Sequence, residues 1–150
     1  MKRVGEKPGR RGLVSDFREF DFGNTDEKKV LEARVFSAYK RRFVIRCGGP
    51  GGRSFSIGVL FISSKLEAGD GVAADIVRHE YGHTEQLKRL GLFRYLRAIA
   101  WPSMRSRKTG VEYFSQPWEV TADMYGGVER EHLAGAEERG LDWLTGIRSS

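Results

Sequence analysis

Three side chains of this sequence stand at a spacing suited to chemistry: the run His79-Glu80-Tyr81-Gly82-His83. Residues four apart on an α-helix lie one above the other, so both imidazoles can reach one ion. A carboxylate one residue after the first histidine points to the flank, where it can take a proton from an activated water rather than ligate. The pattern predicts a zinc ion on His79 and His83, with Glu80 as the general base of a hydrolysis. The plainer readings are a chance match or two hydrogen-bonded core histidines; a non-catalytic zinc-binding protein is the alternative function, and a purely structural site has no use for a carboxylate beside the first ligand.

The element that must carry these residues is readable. Val72 to Leu90 follows a helical pattern, and Gly91 stands where a C-terminal cap belongs. At about 100° per residue, Ile76, Glu80, His83, Leu87 and Leu90 share one face, with His79 at its edge. Arg78, Glu85 and Arg89 point toward water. Three ionisable groups on the apolar side need compensation, which a metal ion supplies.

A catalytic zinc takes three protein ligands and keeps one position for water. The longer metzincin pattern requires Gly at 86 and His at 89, where this chain has Gln86 and Arg89. The remaining histidine, His132, follows the helix-breaking pair Gly126-Gly127 and reads as a surface residue. The better candidate is Glu119, in Pro117-Trp118-Glu119-Val120-Thr121-Ala122-Asp123. Pro117 suits the first turn of a helix, with Ser115 or Gln116 as cap. Glu119 and Asp123 are four apart, so one could ligate while the other accepts the free N–H of a liganding histidine.

The sequence resembles the gluzincin (thermolysin-like) zinc metallopeptidases, with His-Glu-x-x-His on one helix and Glu-x-x-x-Asp on a later one. The resemblance implies His79, His83 and Glu119 as ligands, Glu80 as base and Asp123 as support for a liganding histidine. It also implies a strand before the active-site helix that pairs with extended substrate, a place Ser54–Ile62 could fill. The context Arg78 to Thr84, then Leu90-Gly91 and Trp101-Pro102-Ser103, is similar to small bacterial proteins of this class. Thr121-Ala122-Asp123-Met124-Tyr125-Gly126 partly echoes the aspzincins, in which an Asp is third ligand; the spacing is off by one, which favours Glu119. The matching motifs cover about residues 54–127.

Around the motif the chain is ordinary for a globular protein: 150 residues, 39% hydrophobic and 31% charged, enough for one domain over residues 13–150. Residues 1–12 are basic and Gly/Pro-containing and read as a mobile arm. Val35–Tyr39 and Arg42–Ile45 favour strands. The turn signal Gly48-Gly49-Pro50-Gly51-Gly52 predicts a hairpin onto Ser54–Ile62, whose end is a continuous apolar run. The expected fold is α+β and minimally zincin-like, a small sheet packed on the active-site helix with further helices. Tyr113 and Tyr125 are candidate oxyanion donors. Cys47, the single cysteine, reads as a strand-end residue, and no disulfide framework is implied.

The net charge of +6 raises nucleic acid as a partner. Its cations sit partly in Lys2, Arg3, Lys7, Arg10 and Arg11, and in Arg105, Arg107 and Lys108, without interleaved aromatics or a known motif. A peptide or protein substrate is the expected partner. No apolar stretch is long enough to span a bilayer, and no signal peptide is visible. A cytoplasmic protein, or one exported without such a signal, fits both. A toxin or effector domain using the same zinc site stays open beside a housekeeping peptidase.

Overall fold

The computed structural model describes residues 21–47, 53–130 and 136–149. The arm at 1–12, the turn at 48–52 and His132 lie outside the described residues. A mixed four-stranded sheet and a set of helices make the class α+β, as expected.

Strands β1 (Phe36–Tyr39) and β2 (Arg42–Cys47) form an antiparallel hairpin. Its two-residue turn, Lys40-Arg41, has φ of 46° and 63°. Positive φ at both central positions matches the right-handed twist of the strands, but two cations give no turn signal in the sequence. The next two strands are β3 (Phe55–Ser56) and β4 (Leu60–Ser63), in the sheet order β1-β2-β4-β3.

The predicted hairpin from Arg42–Ile45 directly onto Ser54–Ile62 is not formed. β4 lies parallel to β2, with Val44 opposite Leu60 and Arg46 opposite Ile62. Ser54–Ile62 is two strands rather than one, because Gly58 takes a φ of 80° and the chain folds back there, Phe55 facing Phe61. The continuous apolar run thus becomes the inner strand β4, which buries Leu60 and Ile62 on the α2 side while Phe61, half-buried on the other, stacks on Phe55. β3, only two residues long, is left at the sheet edge. Cys47 ends β2, as expected.

Helix α1 (Glu27–Glu32) is capped by Asp26, whose side chain accepts from Lys28 N–H. Helix α2 (Gly71–Leu90) is capped by Asp70 at one end and Gly91 at the other, where φ is 77° and the N–H reaches Leu87 O. Its ends match the expectation within a residue; its burial is broader. Ala73 and Val77, absent from the predicted face, pack on Val44, Leu60 and Ile62 of the sheet, all with no exposed surface. Arg78, expected in water, is held by Glu27 at 2.8 Å and Asp75 at 3.2 Å.

Beyond Gly91 come α3 (Leu92–Tyr95), a π turn (Leu96–Ala100) and α4 (Trp101–Arg105), end to end. Pro102 cannot donate to Ala98 and its ring would crowd that carbonyl, so a widened turn stands immediately before it. Helices α5 (Gly110–Phe114), α6 (Pro117–Gly126) and α7 (Ala136–Ser149) complete the described chain. Leu90, Tyr95, Ile99 and Leu144 form a second apolar cluster at the far end of α2.

Candidate metal centre

Helices α2 and α6 cross with their backbones almost touching. A Cβ at Gly82 would overlap the Ala122 carbonyl, and one at Gly126 would overlap the Arg78 carbonyl. Glycine inside a helix costs about 0.5–1 kcal/mol against alanine, and the crossing is the reason for Gly82. Pro117 opens α6 with Gln116 as its N-cap residue, and Gly127, at a φ of 75°, closes it. So built, α6 presents Glu119 and Asp123 to the histidines of α2.

The geometry is tight. His79 Nδ1 lies 2.6 Å from Asp123 Oδ1, and His83 Nδ1 lies 2.7 Å from Gln86 Oε1. Both partners accept, which assigns the proton to Nδ1 in each ring. The two Nε2 atoms then face one oxygen, Glu119 Oε2, at 3.0 Å from His79 and 3.4 Å from His83. One ligand atom from each of His79, His83 and Glu119 lies within 4.8 Å of the others, and all three residues are buried.

Further contacts fix each member. Ser103 Oγ donates to Glu119 Oε1 at 3.1 Å and sits 3.0 Å from the Tyr113 hydroxyl. Gln86 Nε2 donates to Trp118 O and Thr121 Oγ1, both at 2.6 Å, which orients the oxygen it turns to His83. Arg130 Nε donates to Asp123 Oδ2 at 2.7 Å, and its guanidinium stacks 3.9 Å over the Phe114 ring.

Charge at the centre is unbalanced in the direction a cation corrects. Burial by itself depresses the His79 imidazolium, yet Asp123 and Glu119 outweigh it and raise the pKa to about 10. His83 is also raised, burial being overcome by Glu119. Burial works against the Glu119 carboxylate, and the two histidines hold it far below the usual range all the same. Burial pushes Glu80 up, opposed by His83 and His79. Two imidazole nitrogens and a carboxylate oxygen are the donor set of a catalytic zinc site, so the residues present fit the ion.

His79 and Glu80 line a cleft of about 340 Å³, with Ile76, Leu66, Tyr113 and Phe114 among its other walls. Glu80 Oε2 is buried and has no hydrogen-bond partner in the protein. The five residues singled out by spacing, His79, Glu80, His83, Glu119 and Asp123, are therefore brought together. Tyr113 joins them. Tyr125 does not: its ring lies 4.4 Å from the Arg89 guanidinium and packs on the second apolar cluster, because α6 turns that position away from the cleft.

Four participants escaped the sequence reading. Gln86 left a trace, as an uncharged polar residue three past His83 on a buried face. Gly82 left another, a glycine inside a strong helical pattern. Ser103 and Arg130 lie outside both helices and carry no signal of spacing. No family model, curated protein or solved structure matches this chain.

Proposed function

We propose that this chain is a zinc-dependent metallopeptidase with a minimal zincin-like fold. Glu80 is the observation that carries the reading: a buried carboxylate, one oxygen unpartnered, beside His79 in a cleft. Such a group is costly to bury, and a structural staple gains nothing from it. His79, His83 and Glu119 would hold the ion through Nε2, Nε2 and Oε2. When bound, zinc supplies a Lewis acid that makes water a nucleophile near neutral pH and polarises a carbonyl.

The chain's own residues do the rest. Asp123 and Gln86 hold the Nδ1 protons of the two histidines and so fix both rings. Ser103 steadies Glu119 through its second oxygen. Glu80, its pKa raised by burial, accepts a proton from the attacking water and returns it to the leaving amine. The Tyr113 hydroxyl, in the same cleft, is the donor placed to steady the oxyanion. Of the two edge strands, β1 and β3, the second follows Arg53 and Ser54, which line the cleft, and is the edge an extended substrate would pair with.

The test is Glu80→Gln, which keeps size and a hydrogen-bonding oxygen but cannot take the proton. Zinc content should match wild type, and hydrolysis of a peptide mixture should fall about a hundred- to ten-thousandfold. Equal hydrolysis by the two proteins would overturn the reading, as would loss of zinc from the variant.

A further inference from the structure

Apart from Ser103, Lys108 and the buried Tyr95, whose ring meets that of His83, the segment from Lys88 to Lys108 plays no part in the metal centre, yet its composition is extreme. It carries seven cations and no carboxylate, and all seven cations are exposed. Among them stand the most exposed apolar side chains of this region: Leu92 at 57%, Phe93 at 78%, Trp101 at 59% and Met104 at 81%. Leu96 is exposed at 38%. The opposite side of the same helical run is anchored, for Tyr95 and Ile99 are buried in the second apolar cluster and the Tyr95 hydroxyl donates to Ser56 O at 3.0 Å. The outward face is therefore fixed rather than free to roll inward.

The π turn sets how that face is aligned. In an unbroken α-helix, at about 100° per residue, Trp101 would lie about 140° round from Leu96. The π turn between them absorbs one residue and returns Trp101 to roughly 40° from Leu96, with Met104 on the other side at roughly 20°. Leu92, Phe93, Leu96, Trp101 and Met104 then share an arc of roughly 100°. Arg97 and Arg105 border it on the side of Phe93 and Trp101, and the Arg105 guanidinium lies 5.4 Å from the Trp101 ring.

We propose that this face, from Leu92 to Arg105, lies flat on an anionic lipid surface. A raised helical ridge with a continuous apolar arc and a cationic flank sinks its apolar side chains a short way below the headgroups, while the cations meet lipid phosphates. The charge selects the occupant: no carboxylate on the segment offers a partner's cations a counter-charge. Attachment is peripheral, since no described helix is long and apolar enough to cross a membrane. The basic run ends at Lys108, which also lines the cleft beside Glu80.

Sedimentation with vesicles tests this without reference to catalysis. The full chain should pellet with vesicles of phosphatidylcholine and phosphatidylglycerol, at least about tenfold more than with phosphatidylcholine alone, and less at high salt. Phe93→Glu with Met104→Glu should stay in the supernatant while keeping the wild-type melting temperature, both side chains being exposed. Val72→Glu, an exposed apolar position on α2 (66%), should bind as wild type does. Equal pelleting with both lipid compositions, no pelleting with either, or undiminished binding by the double variant would overturn the proposal. So would a wild-type dimer in sedimentation that the double variant abolishes, since the face would then belong to a second copy.

Discussion

Helix α2 packs against two partners in two different ways. Toward the sheet it offers Ala73 and Val77 to Val44, Leu60 and Ile62, an apolar layer bordered by Tyr39, whose hydroxyl turns to Glu27. Toward α6 it offers His79, Gly82, His83 and Gln86, met by Glu119, Thr121 and Asp123, and here hydrogen bonds join the polar side chains across a close backbone crossing. The apolar side gains stability from area removed from water, a force without direction. The polar side gains little net stability, because its charges are desolvated before they are paired. What it gains is position, set by a crossing that only glycine permits. One helix thus keeps stability and chemistry on separate faces.

That division can be broken most severely at the crossing. Gly82→Val places a branched side chain against the Ala122 backbone, where no side chain can yield. Chemical denaturation should show a loss above about 3 kcal/mol, or no cooperative transition, the upper range for overpacking. A variant as stable as wild type would mean that the two helices can separate freely.

Next comes the apolar face. Leu60→Ala, at a side chain with no exposed surface, should cost about 2–5 kcal/mol in urea unfolding. Zinc content, measured well below the transition, should be unchanged. Loss of zinc from this folded variant would show that the two faces are not independent.

The smallest effect belongs to Asp123. Asp123→Ala should weaken zinc binding about ten- to a hundredfold, by freeing the His79 ring and the Arg130 charge beside it. Glu119→Ala should weaken it more. The reverse order, read by competition with a chelator, would make Asp123 the third ligand and return the site to the aspzincin pattern.

The two faces also differed in how far the sequence disclosed them. The polar one was legible, because the residue types and spacing that a metal site would need are fixed together. His79, Glu80 and His83 announce each other, and Pro117 and Gly127 bracket the helix that brings Glu119 and Asp123. Supports from elsewhere follow no period: Ser103 stood out only as part of Trp101-Pro102-Ser103, without a role, and Arg130 not at all. On the sheet side the strands at 36–39 and 42–47 were legible from their β-branched and aromatic content, but their partners were not. Glycines at 48–52 suggest a hairpin, but the fold-back at Gly58 sets β3 antiparallel to β4 and leaves β4 parallel to β2. The Lys40-Arg41 turn was hidden for a related reason: its backbone has the conformation of an Asn-Gly turn without the residues that usually mark it.

Zinc stoichiometry is the measurement that bears most directly on the whole account. Purified protein supplied with micromolar zinc should carry about one ion per chain, the number a single three-ligand site accepts. His79→Ala with His83→Ala should carry none while remaining folded, and Glu80→Gln should carry as much as wild type. A wild-type protein that takes up no transition metal, or a double variant that still holds its zinc, would contradict the account.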